Sequence, residues 1–170
     1  MSFSHNAYAF DYELFETELA PLLYRALSNR DAGPLAQFVD RSLELLTWPW
    51  EPERLPAGWR EELEEADVHS VGDLALTKYY DSGDDQGMAE EWSLIQAQLP
   101  EGCRAALLGS AFGPPGNCFD PGKMGSYFQD ASDVRHSIAV LSQVRVPDLD
   151  RYVALLIKAR DRGMGLYVTF

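Results

Sequence analysis

The sequence predicts an α+β fold in a single domain, and three observations support this prediction. Alternating apolar residues indicate a strand at each end of the chain, over residues 2–10 and 165–170. Between these strands, apolar residues recur mostly at helical spacing and indicate about five or six helices. The chain of 170 residues has the size of one domain, and no linker divides residues 1–170. We therefore expect helices packed around a small sheet that contains both terminal strands.

Capping residues and prolines mark the helices in the first part of the chain. Asp11 can cap a first helix. Pro21 should kink that helix or divide it in two, because proline costs about 3 kcal/mol in a helix interior. Asp31 and Pro34 open the next helix. Three prolines and a glycine then make residues 47–58 a structured loop.

The middle of the chain gives mixed signals. A short acidic helix should begin at Trp59. Residues 68–80 are ambiguous, because the segment LALTKYY contains residues that favour a strand. Residues 81–87 are typical of an exposed turn, and residues 88–99 of a helix.

The last part of the chain begins with a long irregular loop. Residues 109–126, which we call the Gly/Pro-rich loop, contain five of the 13 glycines and three of the 10 prolines. Asp130 or Ser132 should cap the helix that follows. Pro147 should begin a final helix, which Gly163 ends before the closing strand.

No complete catalytic or metal-binding motif is present in the sequence. Cys103 and Cys118 are the only cysteines and have no nearby histidine, so we expect reduced thiols and no metal site. Ser110 lies one position too early for the GxSxG motif of hydrolases. Lys123 is followed by methionine, where a phosphate-binding loop needs serine or threonine. We therefore assign no catalytic residue and no cofactor.

Charge is distributed very unevenly along the chain. The net charge is -13, and residues 61–101, which we call the acidic segment, hold twelve acidic residues against one basic residue, Lys78. This segment should repel nucleic acid. The N-terminus lacks the basic and apolar regions of an export signal, and no apolar run could span a membrane. These features predict a cytoplasmic protein.

The acidic segment supports our leading functional hypothesis, a non-enzymatic protein that docks on a basic partner. Carboxylates would steer the partner into place and aromatic rings would anchor it. The predicted partner-binding residues are Glu61, Glu62, Glu64, Glu65, Asp67, Tyr79, Tyr80, Asp84 and Asp85. The simpler interpretation is that the segment only keeps the protein soluble and that its aromatic residues belong to the core.

A second hypothesis from another functional class is an enzyme or small-ligand binder that uses the Gly/Pro-rich loop as a pocket wall. Long loops without regular structure often carry function. The candidate pocket residues are Cys118, Asp120, Tyr127 and His136. Convergence of at least two of these side chains in one concave pocket would raise this hypothesis above the first.

Residues 107–170 resemble the YfbM-like group of small uncharacterised bacterial proteins. The matching features are a leucine pair before a glycine and two prolines, an aromatic step and two helix residues: Leu107, Leu108, Gly109, Pro114, Pro115, Gly125, Ser126, Tyr127, Phe128, Val134 and Leu141. The resemblance extends to the N-terminal strand but not to the acidic segment. It implies an α+β fold, a bacterial origin and no established catalytic residue. Some members resemble proteins encoded near toxins, which implies an immunity-type inhibitor of a toxin or effector.

Overall fold

Strands from the two ends of the chain pair at the centre of the molecule. The computed structural model describes residues 3–170. Strand β1 (Asn6–Phe10) pairs antiparallel with β5 (Gly165–Thr169), so that Tyr8 lies opposite Tyr167. The predicted pairing of the termini in one sheet is confirmed, although position 2 of the predicted first strand lies outside the described residues. A third strand, β4 (Ser126–Gln129), pairs with the other side of β5 and completes the order β1-β5-β4.

The α+β class is confirmed, but the described residues contain nine α-helices where five or six were predicted. The helices are α1 (Tyr12–Glu18), α2 (Ala20–Asn29), α3 (Gly33–Ser42), α4 (Trp59–Glu62), α5 (Val68–Leu76), α6 (Trp92–Gln98), α7 (Ala105–Leu108), α8 (Ala131–Leu141) and α9 (Leu149–Asp161). Part of the excess comes from single turns, since α4 and α7 have four residues each. Pro21 accounts for one further helix, because the chain divides into α1 and α2 just before this residue.

Helix α5 is the main departure from the predicted elements. The strand considered for residues 68–80 is wrong, because this segment forms α5 followed by a 3-10 turn. Asp67 caps the helix by accepting a hydrogen bond from the backbone N–H of Ser70 at 2.8 Å. Tertiary packing outweighs the strand preference of the individual residues, since six of the nine helical residues are buried.

The predicted loop at residues 47–58 contains a short hairpin. Strands β2 (Thr47–Trp48) and β3 (Glu51–Arg54) pair antiparallel as a second sheet. The rings of Trp48 and Trp50 stack with their centroids 5.0 Å apart. Trp48 is 5% exposed and Trp50 is 65% exposed, so only the first of them closes the core.

The three-stranded sheet is covered by helices on both faces. Tyr8, Phe10 and Tyr167 point to one face, where helices α1, α2, α3 and α5 pack in an aromatic-rich core. Leu166 and Val168 point to the other face and pack against α6 to α9. This alternation follows from the strand geometry, in which successive side chains point to opposite sides.

Irregular segments cover both outer edges of this sheet. At the β1 edge, His5 and Ala89 exchange backbone hydrogen bonds of 2.9 and 3.0 Å. At the β4 edge, Ser110 and Phe128 exchange bonds of 2.8 and 2.9 Å. Each covering segment therefore satisfies backbone groups that an open edge would leave unpaired.

Among the described residues, we find no helix that combines the length and the apolar character needed to cross a membrane.

Candidate functional site

The exposed carboxylates of the acidic segment begin in α4. Four side chains are exposed in sequence here, those of Glu61, Glu62, Glu64 and Glu65. Asp67 follows at the start of α5. Partial burial acts to raise the pKa of Asp67, but hydrogen bonds from the backbone and hydroxyl of Ser70 outweigh it and lower the pKa. These five acidic residues remain close in space because α4 and the start of α5 are separated by a few residues only.

Other predicted partner-binding residues lie elsewhere. Tyr79 and Tyr80 are buried in the core, so their rings are not available as surface anchors. Asp84 forms an ion pair of 3.3 Å with Lys158 of α9. Asp85 accepts hydrogen bonds from the backbone N–H groups of Ala7 and Gly87 at 3.0 and 2.8 Å, which helps to hold the cover on the β1 edge.

The acidic segment therefore does not form one continuous face. Asp67 precedes α5, whereas Asp84 and Asp85 come after it and its 3-10 turn. A helix of nine residues spans about 13 Å, which separates the two groups of carboxylates. Within the part of the chain that the structure describes, Glu64, Glu65 and Asp67 line a large concavity, and Asp84 and Asp85 do not line it.

That concavity is a cleft of about 840 Å³ between the acidic segment and the Gly/Pro-rich loop. We call it the acidic cleft. One wall contains Leu63, Glu64, Glu65, Asp67, His69 and Ser70. The opposite wall contains Gly116, Asn117, Cys118, Asp120, Pro121 and Lys123. A second cavity of about 330 Å³ adjoins it and adds Arg30 and Asp31 to the surroundings of His69.

The four candidate pocket residues are divided among different places. Cys118 and Asp120 both line the acidic cleft. Tyr127 lies on β4, where its ring contacts that of Phe170 edge to face with centroids 6.4 Å apart. His136 lines a separate cavity of about 130 Å³ on the α8 side. Two of the four side chains therefore share one concavity, but they do not converge there, because Sγ of Cys118 and Oδ1 of Asp120 each contact the backbone of the loop itself.

The loop wall of the cleft is shaped by Asp120. Its Oδ1 accepts hydrogen bonds from the backbone N–H groups of Met124 and Gly125 at 3.2 and 3.0 Å. The turn brings Lys123 to the rim, where it is the only cation lining the cleft among the described residues. The cleft is therefore lined by several carboxylates and one ammonium group.

His69 and Asn117 join the two walls, and neither was singled out in the sequence as a site residue. Nε2 of His69 lies 3.3 Å from Oδ1 of Asn117, and Nδ1 of His69 accepts a hydrogen bond from the backbone N–H of Asp120 at 3.1 Å. Asn117 also donates through Nδ2 to the carbonyl of Leu27 at 2.7 Å. No local sequence pattern indicates this junction, because the paired residues are 48 to 51 positions apart.

The thiol and the imidazole of the cleft are both engaged with the cleft walls. The Sγ atom of Cys118 lies 3.7 Å from the carbonyl oxygen of Pro114, and both ring nitrogens of His69 are engaged in hydrogen bonds. A nucleophilic thiol needs a base within hydrogen-bond reach, and His69 is not placed to serve it. Within residues 3–170, no group of three or more His, Cys, Asp or Glu side chains is arranged to hold a metal ion.

Comparison with known proteins found no family model, no curated protein and no solved structure that matches the chain. The resemblance to the YfbM-like group therefore stays a prediction.

Proposed function

We propose that the protein is a non-enzymatic binding protein of the bacterial cytoplasm that holds a basic segment of a partner protein in the acidic cleft. The observation that carries the proposal is the meeting of Glu64, Glu65 and Asp67 with the Gly/Pro-rich loop around one concavity of about 840 Å³. The two features that the sequence singled out separately thus contribute opposite walls of the same cleft.

Charge complementarity defines the partner. One wall of the cleft carries three carboxylates and the opposite wall carries that of Asp120. The cleft contains a single ammonium group, that of Lys123, to balance them. Lysine or arginine side chains of a partner would be attracted into this field, and the attraction would act chiefly on the association rate. An immunity-type inhibitor of a basic toxin or effector is the biological role that agrees with this chemistry.

The same cleft also suits a small cationic ligand, which is the second candidate. Its volume of about 840 Å³ lies within the range of small-molecule sites, roughly 300 to 1,000 Å³. A polyamine and a basic peptide would use the same carboxylates, so the two candidates differ in the size of the occupant and not in the chemistry of recognition.

Binding of a labelled oligoarginine peptide, followed by fluorescence anisotropy at low salt, tests the proposal. The cleft variant carries Glu64→Gln and Glu65→Gln. A matched control carries Glu61→Gln and Glu62→Gln, which removes the same charge from exposed positions outside the cleft. We expect the cleft variant to lose about tenfold in affinity, or about 1.4 kcal/mol, and the control to lose much less.

Equal losses in the two variants would show that the peptide responds to net charge alone, and the proposed site would be wrong. Spermine provides the comparison for the second candidate. If spermine binds more tightly than the peptide and depends on the same two glutamates, the small-ligand function replaces the peptide-binding function. Rising salt should weaken the peptide complex in either case, because exposed charges are screened over about 8 Å at physiological ionic strength.

A further inference from the structure

The imidazole of His69 closes the acidic cleft through a hydrogen-bond arrangement that requires the neutral ring. The orientation of the Asn117 side-chain amide determines this arrangement. Its Nδ2 donates to the carbonyl of Leu27 at 2.7 Å, and the reverse orientation would place two acceptor oxygens against each other. Oδ1 of Asn117 therefore faces His69 as an acceptor.

This orientation determines where the ring carries its proton. Nε2 of His69, 3.3 Å from Oδ1 of Asn117, must be the donor. Nδ1 must be unprotonated, because it accepts from the backbone N–H of Asp120 at 3.1 Å. The ring is thus the neutral tautomer with its hydrogen on Nε2, and each ring nitrogen holds one end of the loop segment 117–120.

Protonation would break one of these two connections. A proton on Nδ1 converts the acceptor into a donor that points at the N–H of Asp120, so the hydrogen bond is replaced by a repulsive contact. The bond to Asn117 would remain, since Nε2 donates in both states. Loop residues near Asp120 would therefore move away from α5, while those near Asn117 would stay attached.

Charged groups surround the ring from every element packed against it. Asp67 and Glu65 lie on its own side of the cleft, Asp120, Lys123 and the thiol of Cys118 on the loop, and Arg30 and Asp31 at the end of α2. His69 itself is the second residue of α5.

We propose that His69 is a proton-sensitive latch, which closes the loop wall onto α5 when neutral and, when protonated, releases the wall at Asp120 and adds a positive charge to the cleft. The coupling of this latch to partner release rests on the proposed function. Both effects of protonation act in the same direction, since the cleft loses its shape and part of its negative charge. A basic segment would therefore bind at neutral pH and leave in mild acid.

The latch is tested first in the protein alone. Long-range ¹H–¹⁵N spectra of the imidazole groups and the backbone amide shift of Asp120 are recorded between about pH 7.5 and 5.5, the range in which histidine switches charge. At about pH 7.5 we expect the imidazole hydrogen of His69 to be on Nε2. As the pH falls and the ring is protonated, the amide proton of Asp120 should shift upfield. His69→Gln should abolish this shift. His136→Gln, in a separate cavity, should leave it unchanged.

The proposal would be overturned if the imidazole hydrogen of His69 were on Nδ1 at neutral pH. It would also be overturned if the amide proton shift of Asp120 did not change when the His69 ring is protonated. The second measurement is the affinity for the oligoarginine peptide at the two pH limits. We expect a loss of about tenfold in the unmodified protein and a smaller loss in His69→Gln. Equal losses in both proteins would overturn the coupling. If the amide transition occurs but no peptide binds at either pH, the proposed function fails and the latch stands.

Discussion

Two histidines of this protein serve as neutral connectors between distant backbone segments. His5 is fully buried, and its Nδ1 accepts from the backbone N–H of Met88 at 3.2 Å while its Nε2 lies 3.1 Å from the carbonyl of Leu107. A carbonyl oxygen can only accept, so His5 has the same tautomer as His69. Burial lowers the pKa of His5, which keeps the ring in the form that these two bonds need.

Asp73 presents the opposite case, a carboxyl group whose charge is unfavourable in the folded state. Burial within the fold raises its pKa to about 7. Burial raises the pKa of the phenols of Tyr8, Tyr80 and Tyr167, and the charge of Asp73 raises it further. The rings of Tyr80 and Tyr167 are 5.3 Å apart, so the carboxyl adjoins a packed aromatic group.

Asp73→Asn should stabilise the protein above neutral pH. The folded state keeps a proton on Asp73 up to about pH 7, whereas an ordinary aspartate releases it near its pKa of 3.8, so the native protein loses stability progressively as the pH rises from about 4 to about 7. The neutral amide avoids this loss. We expect a gain in the free energy of unfolding that is about 2–3 kcal/mol larger at pH 8 than at pH 5. Urea denaturation measures both values.

Glu90→Gln, at an exposed position, is the matched control and should change stability little at either pH. An Asp73→Asn variant that is equally or less stable than the parent protein at pH 8 would contradict the prediction.

At the scale of elements, helix α5 connects the core to the cleft. Its start carries His69, and its buried face includes Gly72. A side-chain Cβ at position 72 would lie 2.9 Å from Cε2 of Phe119 and 3.1 Å from Cδ1 of Leu23. The absence of a side chain therefore lets α5 approach both α2 and the Gly/Pro-rich loop.

Gly72→Ala should accordingly loosen the contact between α5 and the loop. The added methyl group meets side chains in a packed core, and such overpacking costs about 1–3 kcal/mol. Thermal unfolding followed by circular dichroism measures the effect. Gly102→Ala is the control, because nothing lies within 4 Å of a Cβ at that position. Equal melting temperatures for the two variants would contradict the close packing of α5.

The elements that the sequence predicts well are those whose signals are local. Asp11 caps α1 by accepting from the N–H of Leu14, and Asp130 forms a capping box with Asp133 at the start of α8. Strand β4 was not predicted, since four residues next to a glycine-rich loop show too little alternation. Its strand character comes from the pairing with β5, which lies far along the chain.

The candidate site was harder to predict than the fold for the same reason. The sequence grouped Cys118 and Asp120 with Tyr127 and His136, whereas in the structure the first two line the acidic cleft and His136 lines another cavity. The residue that joins the cleft walls, His69, forms its hydrogen bonds with positions about fifty residues away. Such contacts follow from the packing of α5 and leave no pattern in the local sequence.

At the scale of the whole molecule, stability depends on the segments that cover the sheet. Gly87 and Gly109 occupy the points where these segments approach β1 and β4, since a Cβ at either position would collide with a backbone carbonyl, that of His5 or Phe128. Both glycines therefore allow the covering segments to pack closely against the sheet edges, and their role is not to make a turn flexible.

Gly87→Ala should detach the cover from β1. The methyl group collides with backbone, which cannot rotate aside, so we expect a loss of about 2–3 kcal/mol and a tendency to associate through the exposed strand. Denaturation and light scattering of the purified variant measure these two effects. A monomeric variant with the stability of the parent protein would contradict the role of Gly87.

The covered edges of the sheet also limit how this molecule can bind other proteins. Many proteins recruit a partner by letting it add one more strand to an open sheet, a mode that reads the partner's backbone and tolerates many sequences. Here the backbone groups at His5 and Phe128, where such an addition would begin on either side, are already bonded within the chain. A partner strand could not pair with the three-stranded sheet at these two positions, so recognition there must depend on the side chains of the partner.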